Sequence, residues 1–141
     1  MPPYNEILSI LGMKRKKADF ASVDRAIRNG FSFNAYVRLR KDLLVTDADL
    51  TSALGINRAQ LGGVKGGTTR FGLITSDRMY RIARIFALAI EVLRDKKQAA
   101  EWLCEPQFGL GERVPFALLL TEAGALEVEH LLGRIQHGVI S

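Results

Sequence analysis

The residues of this chain that could carry out chemistry are few and lie apart from one another. The two histidines, His130 and His137, are seven positions apart in a predicted helix, which separates them by about 10 Å along its axis. One metal ion cannot bridge that distance, and no cysteine or carboxylate set completes a site around either. Cys104 is expected to pack as a small apolar residue beside Trp102. No nucleophile–base pair is evident, so the sequence predicts no enzyme activity, no metal and no cofactor.

A glycine-rich segment has part of the spacing of a phosphate-binding loop. Gly62 and Gly67 are separated by four residues, but Thr68 follows where such a loop requires lysine. No predicted strand precedes the segment, and without the lysine bound phosphates lose their main positive charge. The sequence therefore does not favour a nucleotide site.

Charge is divided unevenly along the chain. Residues 1–90 contain 15 Lys and Arg against 7 Asp and Glu, whereas residues 91–141 contain 5 against 8. A basic first part indicates a nucleic-acid partner, with solvated surface as the alternative, and an acidic last part indicates a different partner. We predict a basic N-terminal arm at 1–17, a DNA-binding region at 18–90, and a partner-binding region at 91–141.

Composition limits where the protein works. The longest apolar runs fall short of the roughly 18 residues that would cross a bilayer, and the first residues lack the layout of a secretory signal. A single cysteine cannot form an internal disulfide, which favours a reducing compartment. We expect a cytoplasmic protein with no membrane partner.

Apolar periodicity predicts an all-α fold. The cluster Lys14-Arg15-Lys16-Lys17 is expected on a mobile arm, where it could follow phosphates. A helix is predicted from Phe20 to Asn29, with its apolar side at Phe20, Val23 and Ile27, and Asn34 is expected to cap a second helix. Ser76 is expected to cap a long central helix whose Arg78, Arg81 and Arg84 are solvated or face phosphates.

Between these helices lies a pattern typical of a helix-turn-helix. Thr46 and Asp49 fit a capping box before a short helix that ends at Gly55, and Asn57 and Gln60 fit a second one. Two short helices around a tight turn must share a small core, and the apolar residues have that spacing: Leu50, Leu54, Ile56, Leu61 and Val64.

Here the chain resembles the Xre-type helix-turn-helix regulators, with two departures. Thr51 stands where alanine is usual, and Gly62 and Gly63 remove side chains from the second helix. Each interior glycine costs a helix about 1 kcal/mol relative to alanine. The candidate DNA-binding residues are Asn57, Arg58, Gln60, Lys65 and Arg70.

The last third carries a second, closer resemblance. Trp102-Leu103, Pro106, Leu110-Gly111, Pro115, Leu118-Leu119, Thr121, Gly124, Val128, Leu132, Arg134-Ile135 and Gly138 occur in an order similar to the Xre/MbcA/ParS toxin-binding domain. Pro115 is expected to begin a short helix to Leu120, and Gly124 to approach that helix closely. Together the two resemblances cover about residues 20–141.

The resemblance implies an all-α antitoxin: an N-terminal Xre-like helix-turn-helix bundle followed by a small helical toxin-binding domain. In that family the partner is a RES-type toxin that consumes NAD, and the antitoxin covers its active-site entrance. The N-terminal part dimerises and binds promoter DNA. The candidate toxin-binding residues are Glu127, Leu131, Arg134, Ile135, His137, Gly138, Val139, Ile140 and Ser141.

Residues of the last third agree with this implication. Glu122, Glu127, Glu129 and the terminal carboxylate of Ser141 would complement a cationic NAD cleft, and Val139–Ile140 resemble an inserting tail, with a frayed terminus as the alternative. Two other functions remain open: a stand-alone Xre-family transcriptional regulator, or a protein-interaction module without a toxin partner.

Overall fold

The computed structural model describes residues 2–138, so the predicted tail Val139–Ser141 lies outside the described residues. Within that range the regular structure is helical, which confirms the all-α prediction. Eight α-helices and two 3₁₀ helices follow one another: α1 Tyr4–Ile10, α2 Phe20–Asn29, α3 Phe33–Leu43, α4 Asp47–Leu54, α5 Arg58–Lys65, α6 Leu73–Leu93, α7 Lys96–Leu103, 3₁₀ helices at Phe108–Leu110 and Pro115–Leu118, and α8 Glu122–Gln136.

Helix α6 is the element around which the others pack. Its 21 residues contact α1, α2 and α3 as well as α4, α7 and α8. Met79, Ile82 and Phe86 on this helix are completely buried. Burying apolar side chains is the main favourable term in folding, and here one continuous core extends through both predicted regions. The prediction of a central helix is confirmed.

The start of α6 differs from the prediction. Ser76 does not cap the helix, which begins three residues earlier after Gly72. Ser76 is instead fully buried within the first turns. Its hydroxyl accepts the Phe31 amide at 3.1 Å and donates to the Phe71 carbonyl at 3.2 Å. A buried hydroxyl needs such partners, so Ser76 joins the α2–α3 connection to the start of α6.

The prediction of a mobile arm at residues 1–17 is wrong for most of that segment. Residues 4–10 form α1, and Ile7 and Leu8 are completely buried against the core, with Leu11 only 3% exposed. The prolines of this segment do not prevent the helix. Pro3 precedes its first residue, where the missing N–H of proline breaks no helical hydrogen bond. Lys14–Lys17 remain exposed, as predicted.

Two further details of the N-terminal helices differ from the prediction. Phe20 is 78% exposed, and its ring lies 5.1 Å from that of Tyr4 at the surface. The cap of α3 is Ser32, whose hydroxyl accepts the Ala35 amide, and Asn34 lies inside the helix. A single polar residue near the start of a helix therefore predicts the capping position only to within one or two residues.

Gly124 lies where the C-terminal region needs a residue without a side chain. A Cβ on Gly124 would lie 2.0 Å from the carbonyl oxygen of Leu118. The predicted close approach is confirmed, although the preceding segment is a 3₁₀ helix at Pro115–Leu118 rather than a helix to Leu120. Thr121 caps α8 by accepting the Gly124 amide at 3.0 Å, so the cap and the contact fix the direction of α8.

Gly124→Ala is expected to destabilise the protein by about 3 kcal/mol, because the overlap involves backbone that cannot rotate away. Gly133→Ala in the same helix is the matched control, since a Cβ there meets no atom within 4 Å. That change should stabilise the protein by up to about 1 kcal/mol. Urea unfolding of both variants measures the difference; equal effects would contradict this packing.

Candidate functional site

Helices α4 and α5 form the helix-turn-helix that the sequence predicts. Gly55 joins them in the left-handed conformation, with φ at 68°. Thr46 caps α4 by accepting the Asp49 amide. Asn57 and Gln60 form a complete capping box at the start of α5, with both bonds at 2.9 Å. These caps satisfy amides that a helix leaves free, so both short helices begin where the sequence indicates.

Four of the candidate DNA-binding residues lie exposed along α5: Asn57, Arg58, Gln60 and Lys65. Asn57 and Gln60 use their side-chain oxygens in the capping box, which leaves their NH₂ groups as the donors available to a partner. Arg58 and Lys65 line a cleft between α4 and α5 together with Asp47 and Thr51. The arrangement presents two cations and two amide donors on one short helix.

Arg70 lies away from these four residues and is partly engaged within the chain. Its guanidinium donates to the Gly30 carbonyl at 3.1 Å. The neighbouring Phe71 is buried, with 4% of its surface exposed. Its ring lies 5.9 Å from that of Tyr36, which fixes the connector to the core.

The glycines of α5 are not imposed by packing. A Cβ on Gly62, Gly63 or Gly66 would meet no atom within 4 Å. Val64 is the one buried residue of α5, and Leu61 is half-buried. The helix is therefore held by few side chains and presents a nearly bare backbone outward, which permits close approach of a partner but offers little contact with base edges.

Thr51 fits the turn without disturbing it. Its side chain is 9% exposed, and its hydroxyl donates to the Asp47 carbonyl at 2.7 Å. A buried hydroxyl that bonds one turn back within its own helix is satisfied. The departure from alanine at this position is compatible with the motif.

Tyr36 and Arg40 of α3 orient the first helix of the motif, a role that the sequence did not indicate. The Tyr36 hydroxyl donates to the Asp47 carboxylate at 2.6 Å, and Arg40 Nε lies 3.4 Å from the same carboxylate. Burial raises the pKa of Tyr36 well above its ordinary value, and the bond to Asp47 adds to the shift. The spacing of apolar residues in α3 predicts only which side of the helix is buried. It does not reveal the partner of the Tyr36 hydroxyl.

The arginines of α6 connect the two regions of the chain. Arg78 donates to the Leu54 carbonyl at the end of α4, at 3.0 Å. Arg81 donates to the carbonyls of Leu119 and Leu120, at 3.1 and 2.6 Å. Arg84 NH2 lies 3.1 Å from a Glu122 carboxylate oxygen and 4.0 Å from one of Glu129.

The expectation that these three arginines are solvated or face phosphates is therefore wrong. Each guanidinium is directed at another part of the same chain. Burial lowers the pKa of Arg81 from its ordinary value. Such arginines satisfy backbone carbonyls that the ends of short helices leave unpaired.

The candidate toxin-binding residues are divided between surface and core. Arg134, His137 and Gly138 are exposed, and Ile135 is half-buried. Leu131 is 1% exposed, so it supports α8 from the core and does not reach a partner directly in this conformation. Val139, Ile140 and Ser141 lie outside the described residues.

The acidic character of this end is largely compensated within the chain. Glu127 pairs with Arg113, and Glu122 and Glu129 lie beside Arg84. That these carboxylates complement a cationic cleft stays a prediction, and arginines of the same chain already pair with all three. Their charges hold α8 to α6 and to the turn before it.

Exposed apolar residues of the C-terminal region were missed by the sequence reasoning. Phe108 is 79% exposed in the turn between α7 and α8, and Leu126 is 41% exposed on α8. Cys104 is also exposed, and Trp102 is half-buried, so the expectation that the cysteine packs inside is wrong. The signal for Phe108 in the sequence is an aromatic residue within a Gly/Pro-rich turn, since aromatic residues are enriched at interface hot spots.

Comparison with known proteins finds a matching family for each of the two regions. Residues 22–84 match the family described as the antitoxin Xre-like helix-turn-helix domain. Residues 88–138 match the antitoxin Xre/MbcA/ParS C-terminal toxin-binding domain. The chain is 36% identical over 117 residues to an antitoxin Xre of Yersinia enterocolitica, covering 82% of this chain and 79% of that one.

The chain belongs to the Xre antitoxin family. It is also 36% identical over 94 residues to an antitoxin Xre of Photorhabdus laumondii, covering 66% of this chain and 64% of that one. A 63-residue match to an antitoxin Xre of Pseudomonas putida is 35% identical and covers 45% and 40% of the two chains. The Xre antitoxin fold thus unites a helix-turn-helix with a toxin-binding domain.

Two classes of site are not found in the part of the chain that the structure describes. No helix among residues 2–138 is long and apolar enough to cross a membrane. Nor do three or more metal-ligating side chains come together in that range.

Arg81→Gln is expected to lower the free energy of unfolding by about 2 kcal/mol, because two carbonyls at the Leu119–Leu120 junction lose a charged donor. Arg94→Gln is the control, since this exposed arginine follows the end of α6 and its loss should cost under about 0.5 kcal/mol. Thermal and urea unfolding measure both. Equal stabilities would contradict the role given to Arg81.

Proposed function

We propose that this chain is the antitoxin of a type II toxin–antitoxin pair. It neutralises a RES-type, NAD-consuming toxin by covering the entrance of the toxin's active site, and it represses its own operon as a homodimer on promoter DNA in the cytoplasm. The observation that carries the proposal is the match of residues 88–138 to a toxin-binding domain, joined to a helix-turn-helix.

The toxin-binding surface that we propose combines predicted and newly observed residues. The exposed side of α8 supplies Arg134 and His137, and the preceding turn supplies Phe108. The Arg113–Glu127 pair holds that turn to α8. A large aromatic ring beside polar residues is typical of an interface anchor, so Phe108 supplies affinity and the C-terminal residues 138–141 reach the toxin's active site.

Deletion of residues 138–141 is expected to weaken inhibition of the cognate toxin while leaving DNA binding intact, because the helix-turn-helix lies in another part of the chain. The measurement is NAD consumption by the toxin at increasing antitoxin concentration. Undiminished toxin activity with the full chain would falsify the proposed function. Full inhibition by the shortened chain would disprove only the role of the tail.

Phe108→Ala is expected to weaken binding of the toxin by at least about 1 kcal/mol, or roughly fivefold. Phe20→Ala provides a matched control, since Phe20 is 78% exposed and Phe108 79%. Calorimetric titration of the toxin with each variant measures the change. Equal affinities for the two variants would show that Phe108 is outside the interface.

The DNA-binding half of the proposal rests on α5. We expect Arg58, at the start of α5, to contact a base edge and Lys65, at its end, to contact a phosphate, because both are exposed cations. Arg58→Ala should therefore weaken promoter binding by about 1–3 kcal/mol and relax its sequence preference. Lys65→Ala should weaken binding to all sequences equally. It should also lower the slope of log affinity against log salt by about one.

Fluorescence anisotropy with promoter and random duplexes measures both effects. If Arg58→Ala lowers affinity equally for the two duplexes, base recognition by Arg58 is excluded. The bare glycine face of α5 favours one alternative, an interaction module that does not bind DNA. Absence of salt-dependent binding by the unmodified chain would support that alternative.

A further inference from the structure

The connection between α1 and α2 carries a cationic surface that the helix-turn-helix does not use. Lys14, Arg15, Lys16 and Lys17 are consecutive and exposed. Among the described residues none of the four has an ion-pair or hydrogen-bond partner, although six other cations of the chain are paired: Arg28, Arg40, Arg84, Lys96, Lys97 and Arg113. Four adjacent unpaired cations repel one another, so they favour an anionic partner.

This segment, residues 14–17, is held in place at both ends. Before it, Leu11 is 3% exposed and the Met13 amide donates to the Leu8 carbonyl at 3.0 Å. After it, the Asp19 carboxylate caps α2 by accepting the Ser22 amide at 2.8 Å. That bond lowers the pKa of Asp19 below its ordinary value, so the cap is ionised at neutral pH. The four cations are therefore presented between two packed helices and not on a free arm.

Arg38 of α3 extends the cationic surface. It packs so closely on Gly12 that a Cβ there would lie 2.9 Å from Arg38 Cδ, and φ of Gly12 is +83°. Arg38 and Lys14 line one cleft with Asp42 and Lys96, which pair with each other, and Lys16 and Lys17 line another with Asn5, Asp19 and Ser22. The cations thus continue from the connection onto the exposed side of α3.

The position of α3 relates this surface to the helix-turn-helix. Arg38 contacts the connection on one side of α3, whereas Arg40, two residues later, lies near Asp47 at the start of α4 on the other. Since a helix with its side chains is about 10 Å across, the two sides of α3 lie roughly 10 Å apart. A duplex carries about 6 phosphate charges over that length, so backbone contacts on both sides of α3 fall within the span of one DNA molecule.

We propose that Lys14–Lys17 and Arg38 form a second DNA-binding surface, which contacts the phosphate backbone flanking the bases read by α5. This inference rests on the proposed DNA-binding function. It accounts for how an α5 with two interior glycines and few contact residues binds DNA: α5 supplies the selection of sequence, and the cationic surface supplies affinity without sequence preference.

The experiment compares two double variants with the same loss of charge in the full chain. Lys16→Gln with Lys17→Gln removes two cations of the surface, and Arg94→Gln with Lys97→Gln removes two exposed cations near the start of α7. The probes are a duplex of the region upstream of the chain's own gene and a random duplex of equal length. Affinity is measured from about 50 to about 200 mM salt.

The Lys16/Lys17 variant is expected to lower the slope of log affinity against log salt by up to about 1.8 on both duplexes. At about 0.1 M salt its affinity should fall roughly tenfold or more. The Arg94/Lys97 variant should change neither quantity. Lys14→Gln with Arg15→Gln should reproduce the first result, and circular dichroism confirms that each variant is folded.

The outcomes separate this inference from the function on which it rests. If the unmodified chain binds neither duplex, the DNA-binding function is wrong and this surface has no DNA to contact. If it binds and both double variants lose slope equally, only the second surface is disproved. If the Lys16/Lys17 variant keeps its DNA affinity but loses binding to phosphatidylserine vesicles, the surface serves a membrane and the inference is overturned.

Discussion

Helix α6 imposes the main constraint on this structure, because one helix supplies the core of both functional regions and the bonds between them. Its buried side contains Met79, Ile82 and Phe86, and its arginines reach the end of α4 and the start of α8. A residue on α6 therefore cannot change to suit DNA binding without affecting the region that binds toxin. The sequence matches two separate domain families, but in the structure the two regions pack as one unit.

One of the contacts between the regions lies at the turn of the helix-turn-helix. A Cβ on Gly55, in the turn of the helix-turn-helix, would lie 2.7 Å from Arg78 NH1 and 3.1 Å from Leu120 Cδ1. Leu120 directly precedes Thr121, the cap of α8. The turn that sets the angle of α5 thus touches the residue that leads into the toxin-binding helix. The two regions are therefore in direct contact at this turn.

Much of the fold follows from local sequence signals. The capping residues Thr46 and Asn57, and the close approach at Gly124, were predicted because each depends on neighbours within a few positions. The roles of Ser76 and Arg81 were not, because their partners lie 45 and 38 residues away. The spacing of residues in a sequence gives no information on contacts between such distant positions. In addition, a serine before an acidic residue is equally typical of a helix cap.

The candidate surfaces show the same division. Exposure of Arg58 and Lys65 followed from their place on a short amphipathic helix, and the structure agrees. The exposure of Phe108 did not follow, because it depends on how the turn at residues 107–113 folds back on α8. The pairing of Glu127 with Arg113 likewise required the fold, and it removed a charge that the sequence had left free.

The claim that both functional regions form one cooperative unit around α6 is tested most directly by native-state hydrogen exchange. Amides of α4 and of α8 are predicted to exchange through the same global opening, with equal free energies and equal dependence on denaturant. Arg81→Gln should lower both free energies together. If α8 opens at a markedly lower free energy while α4 stays protected, the regions are independent and this account of the structure is wrong.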